Sequence, residues 1–246
     1  MEQLGRENMG IIYRDGDTGG GACSSSNDPD IPEPTPTPTP TPEPEPEPEP
    51  GLTSQGWAND YSGVMLQGFS WDSYNESQWK VLANQVDDLK GYIDLVWLPQ
   101  SGKCIETTQV MGYMPYYYFN QNSSFGSEAE LRSLIAKFKA NGIGAIADVV
   151  VNHRNTDGWY TFPAETYKGV TYEMKSTDIC ANDDGGKTKK EADKQGVKLS
   201  SNNDTGDDWD GMRDLDHSSE NVQSIVKAYL DMLLNDFGYA GFRYDM

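Results

Sequence analysis

Short apolar segments alternate with stretches of helical periodicity along the chain from about residue 56 onward. Four apolar segments have the length and side-chain types of buried strands, and we predict strands at residues 64–69, 94–99, 143–151 and 241–245. The third is almost entirely apolar, as expected of a parallel strand that is covered on both faces. The pattern therefore indicates an α/β fold with a parallel sheet.

Three other stretches repeat apolar residues at three- and four-residue spacing, which predicts amphipathic helices. A capping box formed by Ser127 and Glu130 is expected to start the second of them. The apolar positions are Trp79, Leu82, Val86, Leu89 and Ile93 in the first helix, Leu131, Leu134, Ile135 and Phe138 in the second, and Val222, Ile225, Val226, Tyr229, Leu233 and Phe237 in the third.

Four strand–helix units fit either an open sheet or half of a closed barrel. A complete (β/α)₈ barrel typically takes ~250 residues, and only about 190 follow the N-terminal tail here. We therefore predict a (β/α)₈ TIM barrel of which only the first four β/α units are present.

Residues 154–213 interrupt this alternation. The segment is polar, rich in Asp, Asn, Gly and Lys, and too long for an ordinary connection, so we interpret it as a small domain inserted after the third strand. The predicted organisation is a tail and linker at 1–55, the first part of the barrel at 56–153, the insertion at 154–213, and the barrel continued but truncated at 214–246.

The N-terminal tail carries two features of its own. Every second residue from Pro32 to Pro50 is proline, which predicts a semi-rigid polyproline II spacer of roughly 60 Å. Residues 21–28 resemble the cleavage site and mature start of a bacterial lipoprotein. On that interpretation the protein is secreted or held at the bacterial cell surface, with a lipid on Cys23 as its membrane tether; a disordered tail with an incidental cysteine fits the sequence equally well.

Charge and cysteine usage exclude several classes of function. The formal net charge of −20 repels phosphate backbones, which argues against a nucleic-acid partner. The spacing of the three cysteines matches no CxxC motif, which argues against zinc and thioredoxin-like chemistry. No apolar run approaches the ~18 residues needed to span a bilayer. We expect the protein to be a monomer.

The candidate chemistry lies where the third and fourth strands end, because functional side chains of parallel α/β folds cluster at the carboxyl ends of strands. The fourth strand ends with Arg243 and Asp245, which share one face because they are two residues apart. A guanidinium beside a carboxylate favours the ionised form that a nucleophile requires, although a structural ion pair fits the spacing equally well. The third strand ends in Asn152 and His153, and a histidine at that position suits a ligand contact.

An acidic segment at residues 204–210 is a candidate cation site. It contains four carboxylates and a glycine within seven residues, and Asp214 and Asp216 follow closely. Hard oxygen ligands of this kind suit Ca²⁺, although the spacing is not that of an EF-hand. A solvated acidic loop is the alternative.

Together these motifs resemble the α-amylases of glycoside hydrolase family 13, most closely the plant-type enzymes and their bacterial relatives. Residues 148–153 are similar to the first conserved region of that family and residues 241–245 to the second. Residues 213–217 resemble the motif that ends the family's inserted domain B, except that the family usually has proline where Arg213 stands. The resemblance covers roughly residues 62–246.

The resemblance implies a role for individual residues. It makes Asp245 the catalytic nucleophile and Arg243 its electrostatic partner. It further implies that His153 hydrogen-bonds the sugar at the cleavage site and that the Tyr113 ring stacks on that sugar. It also implies a Ca²⁺ ion that ties domain B to the barrel, with ligands Asn152, Asp204, the Asp207 carbonyl and Asp214, and a second cation that Asp208 joins.

The activity implied is endo-acting hydrolysis of α-1,4-glucosidic bonds in starch- or glycogen-type polysaccharides, with retention of configuration. A retaining enzyme needs a second carboxyl group as acid and base, and the family's Glu for that role would lie after residue 246. We therefore expect these 246 residues alone to be inactive and poorly folded. The alternatives are a non-catalytic cell-surface glycan-binding protein, or a transglycosylase or α-1,6-acting member of the same family.

Overall fold

Strands and helices alternate in the computed structural model, which describes residues 61–206 and 211–245. Elements are labelled in chain order. The first part of the chain contains β1 (Met65–Gln67), α1 (Trp79–Leu89), β2 (Leu95–Leu98), α2 (Glu128–Ala140) and β3 (Gly144–Val150). Next come β4 (His153–Arg154), β5 (Glu165–Tyr167), β6 (Val170–Tyr172), α3 (Lys187–Gln195) and β7 (Arg213–Asp214). The last elements are α4 (Glu220–Asp231), a π-helical turn (Met232–Phe237) and β8 (Gly241–Asp245).

The central sheet has four parallel strands in the order β1-β2-β3-β8. Its register pairs Asp148 with Arg243 and Val150 with Asp245, so β3 and β8 carry the predicted site residues side by side. All six residues from Ala145 to Val150 are buried, as the apolar pattern predicted for a strand covered on both faces. The sheet is formed by the first four β/α units of a TIM barrel, and the predicted fold class is confirmed.

The helices bury the faces that the periodicity predicted. α1 buries Trp79, Leu82 and Val86, but it ends at Leu89 and not at Ile93. The reason is the turn after it, where Gly91 takes a φ of +79°, a conformation that breaks helical geometry and that glycine adopts without strain.

The second helix starts as predicted. The Ser127 side chain accepts a hydrogen bond from the Glu130 backbone N–H, and the Glu130 carboxylate accepts one from the Ser127 N–H at 2.9 Å. This reciprocal pair satisfies two amides that would otherwise lack a partner at the start of α2.

The segment between β3 and α4 forms two small antiparallel sheets, β4–β7 and β5–β6. Two buried ion pairs hold it. Arg154 contacts Glu165 at 2.8 Å, and Arg213 contacts Asp183 at 2.5 Å. The boundaries between the four predicted segments remain a prediction.

Several features predicted from the sequence lie outside the described residues, namely the tail and linker at 1–55, Cys23, Asp207 and Asp208. In the ranges that the structure covers, none of the helices combines the length and the apolar character needed to cross a bilayer.

Candidate active site

An arginine lies between two carboxylates at the carboxyl ends of β3 and β8. Nη1 of Arg243 is 3.3 Å from Oδ1 of Asp148 and also donates to Oδ1 of Asp245. The contact with Asp245 follows from the two-residue spacing on one strand face, as the sequence predicted. The contact with Asp148 crosses from β8 to β3, where the register places the two residues opposite each other.

Asp148 is buried and is held by three neighbours. Besides Arg243, its Oδ2 accepts hydrogen bonds from the indole of Trp97 and the hydroxyl of Tyr113, each at 3.1 Å. The pKa of Asp148 is raised to about 6: removal from water is the largest cause and the negative charge of Asp245 adds to it, and together they outweigh the opposing effects of Arg243 and Tyr113. The carboxyl therefore changes its charge closer to neutral pH than an ordinary aspartate does.

The carboxylates of Asp148 and Asp245 in turn shift the pKa values of Arg243 and Tyr113. Burial lowers the pKa of Arg243, but Asp148 and Asp245 outweigh it and the net shift is upward, so the guanidinium stays charged. Burial raises the pKa of Tyr113, and the nearby Asp148 raises it further, so its hydroxyl stays protonated and able to donate.

Asp148 was not among the candidate residues from the sequence, although it opens the 148–153 motif. The sequence does indicate that Asp148 is special, because it is the only charged residue in the otherwise apolar residues 143–151. A buried carboxylate in such a strand requires partners, and the partners come from β2, β8 and the loop after β2.

The predicted sugar-contacting residues lie around this charge cluster. The Tyr113 ring stacks on Trp71, with centroids 5.8 Å apart and an interplanar angle of 16°. Trp71 is 71% exposed, so the pair presents an aromatic surface to solvent beside Asp148. His153 is buried, with Nε2 2.8 Å from the Tyr113 carbonyl oxygen, and it thereby ties β4 to the loop that carries Tyr113.

Three of the predicted calcium ligands, Asn152, Asp204 and Asp214, are linked by hydrogen bonds to the backbone around Cys180. The Asn152 carbonyl accepts from the Leu215 N–H at 2.9 Å, which places it beside Asp214. The Asp214 carbonyl accepts from the Cys180 N–H at 2.9 Å. Asn182, two residues further on, accepts from the Asp204 N–H through its side chain at 2.7 Å.

The carboxylates of this region also act on the Cys180 thiol. Burial, together with the charges of Asp204, Asp216, Asp214 and Asp183, raises the pKa of the Cys180 thiol to about 12. Within the described ranges no three His, Cys, Asp or Glu side chains form a group that could hold a metal ion. Asn152 carries an amide and Asp204 and Asp214 carry carboxylates, so the described donors are of the chemical type that suits Ca²⁺.

Comparison with known proteins decides the family. Residues 82–246 match the family model described as alpha amylase, catalytic domain. The chain belongs to the alpha-amylase family. Its curated relatives include probable alpha-amylase 2 from Arabidopsis thaliana, 28% identical over 74% of this chain and 40% of that protein. They also include an alpha-amylase from Aeromonas hydrophila, 30% identical over 74% of this chain and 39% of that protein.

The family's solved structures include wild-type alpha-amylase I from Eisenia fetida, with a TM-score of 0.50, 19% identity, and coverage of 74% of this chain and 37% of that one. A mutant of the same enzyme in complex with maltohexaose gives a TM-score of 0.52 at 19% identity, with the same coverage of both chains. These likenesses show the fold. The chain spans about two fifths of the length of the curated relatives described above.

Proposed function

We propose that the complete protein carrying this chain hydrolyses internal α-1,4-glucosidic bonds of starch- or glycogen-type polysaccharides with retention of configuration. Family membership supports hydrolysis of α-glucans in general. The observation that carries the finer proposal is the ion pair of Arg243 with Asp245, at the carboxyl end of β8 and beside a solvent-facing aromatic surface.

Asp245 is the nucleophile in this proposal. Its side chain is 26% exposed, so a sugar ring has access to the carboxylate while the other side of the residue is held by the guanidinium. The carboxylate attacks the anomeric carbon as the glycosidic C–O bond breaks, and the oxygen of the leaving sugar takes a proton from a general acid. Water, losing a proton to the same group, then hydrolyses the glycosyl-enzyme ester and frees the carboxylate. Arg243 fixes the position of the attacking oxygen and keeps it ionised.

Tyr113 and His153 orient the sugar. The Tyr113 ring, with Trp71 stacked against it, offers a flat apolar face to the ring C–H groups of glucose. The hydrogen bond from His153 to the loop of Tyr113 supports the position of that ring. Maltohexaose in the Eisenia fetida complex is a ligand of the same chemical class.

The second carboxyl of a retaining mechanism is not Asp148. Its side chain is fully buried and its oxygens are occupied by Trp97, Tyr113 and Arg243, so it does not reach a leaving group. We therefore assign Asp148 the role of holding Arg243, and we propose that the general acid and base comes from outside the described residues.

A calcium ion bound by Asn152, Asp204, Asp207 and Asp214 is part of the same proposal, with Asp208 at a second cation. When bound, it would neutralise the carboxylates around Cys180 and tie the segment that follows β4 to the sheet. We also propose that domain B spans residues 154–213 and that the protein is a monomer. It is secreted or anchored at the cell surface through Cys23 in the same proposal.

The proposal is tested on the complete protein with soluble starch and with maltooligosaccharides of defined length. We expect release of reducing sugar, early products of mixed length, and products that start as the α-anomer when they are followed by NMR. Release of β-anomers would contradict retention. Glucan binding without hydrolysis would favour the glycan-binding alternative, and longer or branched products would favour a transglycosylase or an α-1,6-acting enzyme.

A further inference from the structure

Residues 180–183 contact both of the chain segments that hold the proposed calcium ligands Asp204 and Asp214. We call these four residues the 180–183 turn; it lies between β6 and α3, and Cys180 and Asp183 in it are buried. None of the four is itself a proposed ligand. Their contacts therefore raise the question of what the turn does for the two ligands.

The turn holds Asp204 through its backbone. Asn182 Oδ1 accepts a hydrogen bond from the Asp204 N–H at 2.7 Å, and Asn182 Nδ2 donates to the Asp204 carbonyl at 3.1 Å. The Ala181 N–H donates to the carbonyl of Asn202, two residues earlier, at 2.7 Å. One side-chain amide thus uses its acceptor and its donor on the same residue, which fixes the direction from which the Asp204 carboxylate projects.

The same turn holds Asp214 on β7. Asp183 Oδ1 accepts a hydrogen bond from the Asp214 N–H at 2.7 Å, and the Cys180 N–H donates to the Asp214 carbonyl at 2.9 Å. Both backbone groups of Asp214 are therefore bonded to the 180–183 turn, as both backbone groups of Asp204 are. A single four-residue segment fixes the backbone of two ligands that lie in separate parts of the chain.

Arg213 and Thr188 hold Asp183 from its other side. Asp183 Oδ2 pairs with Arg213 Nη1 at 2.5 Å and accepts a hydrogen bond from the Thr188 hydroxyl. All three side chains are buried. The two oxygens of Asp183 thus serve different partners, and the charge of Arg213 compensates a carboxylate that would be costly to bury alone. The acceptor for the Asp214 N–H is kept in place as a result.

We propose that Asn182 and Asp183 are positioning residues for a Ca²⁺ ion bound at Asp204 and Asp214, and that they act by fixing the backbone of these two ligands. The inference rests on the proposed function, because calcium binding at Asp204 and Asp214 is part of it. Neither positioning residue contacts the ion. A ligand that is already held in place loses less conformational entropy when the ion binds, so the two residues raise calcium affinity.

The test measures the calcium affinity of the complete protein by calorimetric titration after treatment with a chelator. In Asn182→Ala we expect the affinity to fall roughly ten- to a hundredfold. This variant removes no charge, so a weaker attraction for the cation cannot cause the loss. Asp183→Asn should lose affinity on the same scale, because its single acceptor oxygen cannot serve the Asp214 N–H and Arg213 together.

Two matched controls separate positioning from stability. Asn221→Ala removes an amide that donates to the Glu173 carbonyl at 3.0 Å, and Glu165→Gln breaks a second buried ion pair of the same segment, with Arg154. We expect both controls to lower the melting temperature equally in calcium and in chelator. Their calcium affinity should stay within about threefold of wild type, because neither changes the 180–183 turn.

The outcomes separate the positioning role from the calcium site and from hydrolysis. If circular dichroism shows that Asp183→Asn does not fold, Asn182→Ala carries the test, since Asn182 is uncharged and only partly buried. Wild-type calcium affinity in Asn182→Ala would overturn the positioning role and leave the calcium site standing. A wild-type protein that binds no calcium would overturn both, whereas starch hydrolysis, measured in parallel, is decided by its own result.

Discussion

The Nη1 atom of Arg243 lies 3.3 Å from Oδ1 of Asp148, its partner in the register between β3 and β8. The contact joins a buried carboxylate to the guanidinium that also holds Asp245. Asp148 thus supports the position of the candidate nucleophile through Arg243, while its own charge interacts with that of Asp245. Arg243 forms a structural ion pair with Asp148 and also contacts Asp245. The two interpretations of Arg243 from the sequence, a structural ion pair and a partner of the candidate nucleophile, are therefore compatible.

Asp148→Asn is expected to change how stability depends on pH. The folded-state pKa of about 6 is above the ordinary value of 3.8, so the folded protein binds this proton more tightly than the unfolded chain does. Stability from this group is therefore present at low pH and lost as pH rises through about 4 to 6, by up to about 3 kcal/mol. Urea unfolding of the complete protein at a series of pH values measures this loss of stability. Asp148→Asn should flatten that part of the profile, and the exposed Asp88→Asn should not.

Much of the fold was predictable, because the apolar positions of the sequence along β3 and α2 are the positions that the structure buries. The apolar residues 143–151 can only be covered on both faces, and the Ser127 capping box fixes where α2 begins. The end of α1 was predicted four residues too late, because Ile93 continues the helical spacing while the turn at Gly91 depends on backbone conformation.

The candidate site was only partly predictable. Arg243 and Asp245 are two residues apart, so one strand geometry places them together. Asp148 is 95 residues from Arg243 in sequence, and only the pairing of β3 with β8 brings the two into contact. The stacking of Trp71 on Tyr113 likewise joins loops that follow different strands, and sequence spacing alone does not predict it.

Glu165→Gln is expected to destabilise the folded protein by about 3–5 kcal/mol, because it leaves the Arg154 guanidinium buried without its counter-charge. Both side chains are almost fully buried, at 1% and 7% exposure. The matched control is Asp231→Asn, which removes the exposed partner of Lys227 and should cost less than about 1 kcal/mol. Denaturant unfolding compares the two variants; equal small effects would show that the buried pair contributes little.

Calcium is expected to stabilise the complete protein. A cation that binds only the native state raises stability by mass action, and it also relieves the repulsion among the carboxylates around Cys180. A chelator should lower the melting temperature, and Asp214→Asn should reduce that sensitivity, whereas Asp88→Asn should leave it intact. If chelation at low ionic strength leaves the melting temperature unchanged, the acidic segment is solvated surface.

Arg243→Ala is expected to lower kcat on starch by roughly 10²–10³-fold, the scale of losing one charged group that acts on the transition state. The Asp245 carboxylate then loses the donor that orients it, and Asp148 loses its counter-charge inside the protein. Arg243→Lys supplies a charge without the planar group that contacts both carboxylates, so it should recover only part of the rate. Recovery of the full rate by lysine would show that charge alone is sufficient. Circular dichroism on each variant separates a loss of rate from a loss of fold.

Asp245→Asn separates catalysis from binding and is the sharpest check on the proposed function. An amide has nearly the size and shape of the carboxylate, so the contact surface formed by Trp71 and Tyr113 is preserved. It is a far weaker nucleophile, and we expect turnover on starch to fall by at least about 10³-fold. Affinity for maltoheptaose should stay within about threefold of wild type, because no ring contact is removed.

Initial rates and calorimetric affinities for wild type and Asp245→Asn provide the comparison, with Asp88→Asn as a control for the loss of one surface charge. A variant that keeps a near-normal rate would overturn the assignment of Asp245 as nucleophile. Loss of affinity in proportion to the rate would mean that Asp245 contributes to substrate binding and not to bond cleavage. Retained affinity with lost turnover would show that this carboxylate acts in bond cleavage, and retention of the α-configuration in the wild-type products then separates a nucleophile from a general base.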